Sequence, residues 1–335
     1  MQARSDNQAV TAVIVTYGAR ERLVLTTLDA ARAGGLDHAI VIDNGSATPI
    51  APAAARFGDW VTVVRLDRNR GSAAGFAAGI EAALAAGYDR LLMLDDDNAV
   101  RTDTLPALIA AFDAIKQPGV PAAVLALRAG HGGQRLDHTQ RGVTLAERDT
   151  AFGFHIADMA GKIARRLFKR GKETGAIPTM LPIPAAPYGG LLIDRETIER
   201  IGLPDERYGL YQDDHEYTIR ILRQGGALML VPGALIDDLE PSYNDALSGA
   251  SSFARWLRGP SDFRVFYTFR NMAHLDRYRR GPTGPLFRAN RALFLTILRA
   301  MALKEGRMAR YRLLRRALAD ADREKLGIDP AFPLP

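Results

Sequence analysis

No cysteine occurs among the 335 residues, which excludes disulfides and zinc–thiolate sites. Long apolar runs are missing as well. The longest candidate, 292–298, is stopped by Arg299, far short of the roughly 18 residues a membrane-spanning helix needs. The first residues, Met1 to Gln8, are polar and hold no apolar signal-peptide core, so a cytoplasmic location is expected. Neither an internal repeat nor a sustained heptad is visible. What is present is ordinary for a globular protein: 47% hydrophobic and 24% charged residues, in a chain long enough for one large core or two unequal ones.

Charge is unevenly spread. Residues 251–335 hold 18 Lys and Arg against 7 Asp and Glu, a net +11, and with +6 for the whole chain this leaves −5 for residues 1–250. An acidic body with a basic tail suits an anionic partner for the tail: a membrane surface, nucleic acid or a phosphorylated acceptor.

Apolar runs and helical stretches alternate through the body. Strands are expected at 11–15, 39–42, 61–65, 90–94, 122–127, 187–193 and 227–231, the last ending before Pro232-Gly233. Helices are expected at 21–32, closed by Gly34-Gly35, and at 71–86, 105–115, from Arg195, and 217–223. Such alternation indicates a mostly parallel sheet with helices on both faces. From Ala129 to Thr179 the pattern weakens, through Gly132-Gly133 and the basic run 162–170, and reads as a long excursion over the active face. Beyond Ser251 the spacing is helical and rich in arginine.

Asp95-Asp96-Asp97, directly behind the apolar run 91–94, is the most informative feature. In extended chain Asp95 and Asp97 point to one side and Asp96 to the other. Crowded carboxylates repel unless one is protonated or a cation lies between them, and the carboxyl end of a strand is where open α/β sheets bind ligands. Two readings stand side by side: a divalent cation held by Asp97 with Asp95 nearby, or a solvated acidic loop capping the next helix. The other motifs are as ambiguous singly. Asp43 ends a strand and is either a nucleobase or ribose acceptor or a turn residue. Asn69-Arg70-Gly71-Ser72 opens a helix whose free N–H groups admit a ligand, or only packs closely. Gln212-Asp213-Asp214-His215-Glu216-Tyr217 holds either a general base, Asp214 foremost, or dipole partners for a helix, with Glu216 and Arg220 a simple i, i+4 pair. Asp237-Asp238 supplies a further metal ligand or a surface turn.

The order of these motifs decides more than any one of them. Taken with Val15-Thr16-Tyr17, Gly189-Gly190 and Tyr267-Thr268-Phe269-Arg270-Asn271, the set resembles the inverting glycosyltransferases of family 2, over about residues 11–274. The resemblance implies a GT-A type, Rossmann-like α/β domain at 1–250, with a nucleotide-sugar half at about 9–128 and an acceptor half at about 180–250, and a helical, basic C-terminal region at 251–335. It places Thr16, Tyr17, Asp43, Asn69, Arg70, Gly71, Asp95, Asp96, Gly189 and Gly190 at the donor. Asp95 and Asp97 would hold Mn2+ or Mg2+, Asp214 would be the catalytic base, and Asp213, His215 and Glu216 would face the acceptor. Related enzymes often carry a metal-binding His after the last strand. Here that region reads Leu235-Ile236-Asp237-Asp238-Leu239, and Asp238 is the substitute, an oxygen ligand suited to a hard cation.

The form of the 212–217 motif is similar to that of galactofuranosyltransferases, so a UDP-linked furanose is the favoured donor. The Tyr-x-x-Arg-Asn element also occurs in rhamnosyltransferases, which makes dTDP-rhamnose the runner-up. The acceptor would be a growing cell-surface polysaccharide or lipid-linked glycan. The basic amphipathic segments 287–298 and 307–316 suit the inner face of an anionic membrane, or pack on the body or on a second subunit as a homo-oligomer. Trp256, Phe263, Phe266, Tyr267 and Phe269 are read mainly as core. A nucleotidyltransferase is disfavoured because 16–21 lacks the Gly-rich basic loop. A non-catalytic membrane or nucleic-acid binder is disfavoured by the acidic body, and no nucleic-acid partner is expected.

Overall fold

The computed structural model describes residues 9–128, 149–158, 178–240, 252–259, 261–280 and 284–334. The chain divides into two compact units, one of residues 1–143, 178–242 and 327–335, the other of residues 144–177 and 243–326.

The first unit is built on one sheet. Its strands are β1 (Val10–Thr16), β2 (His38–Asn44), β3 (Val61–Leu66), β4 (Arg90–Asp95), β5 (Asn98–Val100), β6 (Ala122–Arg128), β7 (Leu181–Pro182), β8 (Leu191–Asp194) and β9 (Ala227–Asp238), in the order β3-β2-β1-β4-β8-β6-β9-β5, with β7 beside β9. Five helices flank it: α1 (Glu21–Ala33), α2 (Ser72–Ala85), α3 (Thr104–Ile115), α4 (Arg195–Ile201) and α5 (Asp213–Arg223). The strands are apolar on both faces, as a sheet covered on both sides requires. Val10, Ala12 and Ile14 of β1, with Leu92 and Leu94 of β4, pack among Val24, Leu28, Leu105 and Phe112. Val13 and Val15, with Leu91 and Met93, pack among Phe76, Ile80, Ile198, Tyr217 and Ile221. Each large apolar side chain so buried contributes roughly 1.5–3 kcal/mol on leaving water.

Two details go beyond the expected mostly parallel sheet. The long ladders β1–β2, β2–β3, β1–β4 and β6–β9 are parallel, whereas the short strand β8 runs antiparallel between β4 and β6, and β5 and β7 pair antiparallel with β9. The turn at Gly190, φ 92°, makes this insertion. Its N–H donates to Met93 O at 2.8 Å and its carbonyl accepts from Ala126 N at 2.9 Å, so one residue stitches β4 to β6 just before β8 begins. The second detail concerns β9, which does not stop at Val231. Its register with β6 jumps from Ala126↔Val231 to Leu127↔Leu235. Pro232 falls in that bulge, where a missing N–H costs no ladder bond. The strand then runs on to pair Asp238 with Asn98 of β5.

The second unit holds helices α6 (Ser252–Arg258), α7 (Asp262–Arg280), α8 (Pro285–Lys304) and α9 (Met308–Asp322). Phe266, Tyr267, Phe269, Phe294, Leu298 and Leu314 are fully buried within it, so the aromatic cluster is core. Arg270 is buried too, its guanidinium 4.9 Å from the Tyr267 ring centre and its Nε donating to Asn271 Oδ1 at 2.9 Å. Residues 149–158, expected as part of a loop, contribute to this core. The Phe152 ring stacks on Phe269 at 4.1 Å and Phe294 at 4.9 Å, and Phe152 N donates to Asp276 at 2.8 Å. Gly132-Gly133 and the basic run 162–170 lie outside the described residues. No described helix is long and apolar enough to cross a membrane.

The Ala- and Gly-rich composition of α2 sets how near it comes to the sheet. A Cβ at Gly75 would stand 2.5 Å from Val15 Cγ1, and one at Gly79 would collide with Val13 while also crowding Ile42. Gly79→Val is therefore expected to lower stability by about 1–3 kcal/mol through overpacking. An unchanged urea midpoint would show that α2 does not need this approach.

Candidate active site

Because β6 and β9 run parallel to β1, β2 and β4, the carboxyl ends of all five lie on one edge of the sheet. Thr16, Asp43, Asp95, Arg128 and Asp238 are the end residues, or nearly so.

The three aspartates after β4 have three different fates. Asp96 turns into the protein, 4% exposed. Its Oδ2 accepts from Thr16 Oγ1 at 2.7 Å, and both its oxygens accept from Arg20 Nε at 2.8 and 2.9 Å. These contacts fasten the turn at 96–97, where the chain does not stay extended. Asp95 faces Gly189 and pairs with Arg128 Nη2 at 2.6 Å. Asp97 is the least compensated member, with Arg20 Nη2 at 3.6 Å: burial, then the charges of Asp95 and Asp96, push its carboxyl up to about 6. Asn98 ties the cluster together. Its Oδ1 accepts from Asp95 N at 3.0 Å, and its Nδ2 donates to Asp97 Oδ1 at 3.2 Å and Asp238 Oδ1 at 3.3 Å. Arg128 Nη1 lies 3.3 Å from Asp238.

The second acidic segment is tied to the helix that carries the Asn69-Arg70-Gly71 motif. Tyr211 and Gln212, both at φ 66°, hold two successive non-glycine residues in the left-handed region immediately before α5. Such strain persists only where the surroundings fix it. Asp213, 2% exposed, accepts from Ser72 Oγ at 2.8 Å. Burial, then the Asp214 charge, push its carboxyl well above the ordinary range, and the Asp95 charge adds to this. The Tyr188 and Tyr217 hydroxyls are buried without a hydrogen-bond partner, and Tyr188 is held neutral by burial, then by the charges of Asp213 and Asp214. Asp214 is half-buried, with one carboxylate oxygen accepting from His215 N at 2.7 Å.

The remaining expected residues divide. Asn69 Oδ1 accepts from Gly71 N at 2.9 Å, and Arg70 N donates to Asn44 Oδ1 at 2.9 Å, so Asn44 and Asn69 shape the loop. Gly71, at φ 91°, lies against Gly209 where no Cβ fits. The Arg70 side chain reaches Glu206 at 2.7 Å on the surface, and Tyr17 is 38% exposed. Asp43 is fully buried. Its oxygens accept from Ser46 N, Ile50 N and Arg65 Nη1, and although burial opposes ionisation these donors hold its carboxyl low. It braces the turn and presents no exposed oxygen to a base. Glu216, 3% exposed, pairs with Arg220, which also donates to Ile201 O and Leu203 O. It fastens α5 to the end of α4 and does not face an acceptor. Asp237 pairs on the surface with Arg101 at 2.7 Å.

Among the described residues no three His, Cys, Asp or Glu side chains converge as a ready metal site. The donor set nevertheless suits a hard divalent cation in kind: Asp95, Asp97 and Asp238 offer oxygen only, and the raised Asp97 marks unrelieved negative charge. What stands among them is the Arg128 guanidinium.

Residues 11–169 match the model for glycosyl transferase family 2. The chain is similar to that family over this stretch. It is 28% identical over 274 residues to the galactofuranosyltransferase GlfT1 of Mycolicibacterium smegmatis, covering 80% of this chain and 83% of that one. It is 28% identical over 278 residues to GlfT1 of Mycobacterium tuberculosis, covering 80% and 82%. In fold it is similar to GalNAc-T7, solved with UDP, GalNAc and Mn2+ (TM-score 0.50, 17% identity, 87% of this chain and 54% of that one). It is also similar to S. aureus TarS (TM-score 0.51, 9% identity, 92% and 55%). The chain thus spans about half the length of both structures, and they establish the GT-A type α/β fold alone.

Sequence reasoning passed over Asn98, Arg128 and Ser72. Ser72 stood inside a quoted motif, and Arg128 stood one residue beyond an expected strand. Their partners lie 33 to 141 positions away, beyond any local pattern.

Asp213 generates a pH prediction. The unfolded chain releases this proton near 3.8, whereas the folded protein keeps it to a higher pH. The stability it contributes is complete below 3.8 and is lost as pH rises through the folded value. Asp213→Asn cannot ionise and still accepts from Ser72. Its urea midpoint is expected to gain on the wild type progressively as pH is raised above 4. A constant offset at all pH values would remove Asp213 as a buried titrating group.

Proposed function

We propose that this protein is an inverting glycosyltransferase that moves galactofuranose from UDP-galactofuranose to a hydroxyl of a growing cell-surface or lipid-linked glycan. The observation that carries the reading is the Ser72–Asp213 bond, which ties the α5 acidic segment to the start of α2, at the same sheet edge as Asp95. Two relatives called galactofuranosyltransferases support the furanose donor.

The chemistry follows from residue type and place. Asp214 is the half-buried carboxylate of its pair, next to an Asp213 held neutral at moderate pH. Of the two, Asp214 is the one open enough to meet an acceptor hydroxyl as general base. Asp214 takes the acceptor proton as the hydroxyl oxygen bonds to the anomeric carbon. The bond from that carbon to the diphosphate oxygen breaks with its electron pair, UDP leaves, and the single displacement inverts the centre. Asp95, Asp97 and Asp238 would hold Mn2+ or Mg2+, which when bound supplies charge neutralisation for the leaving diphosphate. The N-terminus of α2 after Gly71 offers free N–H groups to a phosphate.

Asp214→Asn is expected to lower kcat by about 10²–10⁴-fold, the range of general-base catalysis, while UDP binding by calorimetry stays close to wild type. Transfer at wild-type rate would exclude Asp214 as the base.

We also propose that the helical unit meets an anionic membrane surface. Arg288, Arg299, Arg312, Arg315 and Arg316 are exposed on α8 and α9, beside exposed Leu286 and Leu303, a pairing of cationic and apolar groups that suits anionic headgroups. The protein is expected to co-sediment with phosphatidylglycerol vesicles and not with phosphatidylcholine, and to be released by salt. Equal behaviour with both lipids would refute the contact.

A further inference from the structure

Arg128 bridges Asp95 and Asp238, and four observations bear on its task. Its Nη2 lies 2.6 Å from Asp95 Oδ2 and its Nη1 3.3 Å from Asp238 Oδ1. Its Nε is buried with no hydrogen-bond partner, so the guanidinium is held by one edge only. A Cβ on Gly189 would strike its Nη2 and stand 2.8 Å from Asp95 Oδ2, so the residue next to the pair has to be small for the guanidinium to fit. Finally, the other nearby cation, Arg20, is committed to Asp96 and Glu240, reaching Asp97 only at 3.6 Å. Arg128 therefore bridges Asp95 and Asp238, while Asp97 has only the longer contact with Arg20.

Resting on the donor-site reading above, we propose that Arg128 is a resident counter-ion that competes with the divalent cation for Asp95 and Asp238 and is released to the donor diphosphate when the cation binds. A cation taking oxygens from Asp95 and Asp238 sets two positive charges where the guanidinium lies. The guanidinium must then leave, and a charged group leaving its partner in a half-buried place needs a new one. A diphosphate supplies it, since its oxygens match the planar fork of arginine. The cation alone gains carboxylate oxygens but displaces Arg128 without compensation. With a nucleoside diphosphate present, both cations are satisfied. Arg128 thus acts as a positioning residue that makes cation and donor binding depend on each other.

The test measures Mn2+ binding by electron paramagnetic resonance of the free ion, with UDP absent and present, in wild type, Arg128→Gln and Arg128→Lys. Without UDP, Arg128→Gln is expected to bind Mn2+ at least about fivefold more tightly than wild type, the lower end of ordinary coupling between sites. Its UDP affinity is expected to fall. Mn2+ should raise its melting temperature more than that of wild type, because the cation replaces the lost counter-charge. Arg128→Lys keeps one charge but cannot bridge both carboxylates, so its Mn2+ affinity is expected between the two, and it carries the test should Arg128→Gln not fold. Unchanged or weaker Mn2+ binding without UDP in both variants, alongside normal Mn2+ and UDP binding by wild type, overturns the role of Arg128 alone. Failure of wild type to bind Mn2+ even with UDP overturns the donor-site reading and the role of Arg128 with it.

Discussion

Three adjacent carboxylates at one strand end repel one another, and the way each finds its counter-charge organises the site. Asp96 turns inward to Arg20 and Thr16, which fastens the end of β4 to the loop after β1. Asp95 turns outward to Arg128 at the end of β6. Asp97 has the neutral amide of Asn98 and only a long contact with Arg20, and its raised proton affinity records the deficit. The local field is therefore negative and unfinished. A diphosphate brought to that place alone would be repelled, whereas a divalent cation or a cation–diphosphate pair would be drawn in.

The same logic separates the two acidic segments. At β4 the carboxylates are met by arginines. At the start of α5, among the described residues, Asp213 is met by the Ser72 hydroxyl, with the buried Tyr188 nearby, and burial raises its proton affinity. One edge of the sheet thus carries an arginine-paired carboxylate cluster and, at Ser72, a buried acid beside the half-buried Asp214.

Most of the fold was legible because it rests on local pattern. The apolar runs 11–15, 39–42 and 90–94 and the helices after them come from periodicity and from Gly and Asp punctuation, and all appear within a residue or two. The failures share one cause, non-local pairing. Pro232-Gly233 looks like a turn until β6 is seen to hold both sides of the bulge. Residues 149–158 look like a loop until Phe269 and Phe294 accept Phe152. Glu216 has the spacing of both an i, i+4 pair and an acceptor ligand, and only the carbonyls of Ile201 and Leu203 around Arg220 decide for the pair.

The bulge in β9 has a chemical consequence. Had the strand ended at Val231, Asp237 and Asp238 would have hung on a surface turn. Because it resumes beyond Pro232, alternation divides the two residues. Asp237 goes outward to Arg101, and Asp238, its side chain only 5% exposed, goes inward to Asn98 and Arg128. A histidine in the place of Asp238 would meet Arg128 with a group that does not carry a full negative charge, and Asp95 alone would hold the guanidinium. With aspartate there, the arginine has two anionic partners and a reason to stay. Asp238 and Arg128 thus belong together: an aspartate at that place gives the guanidinium a second anionic partner, and the guanidinium lets Asp95 and Asp238 stay close.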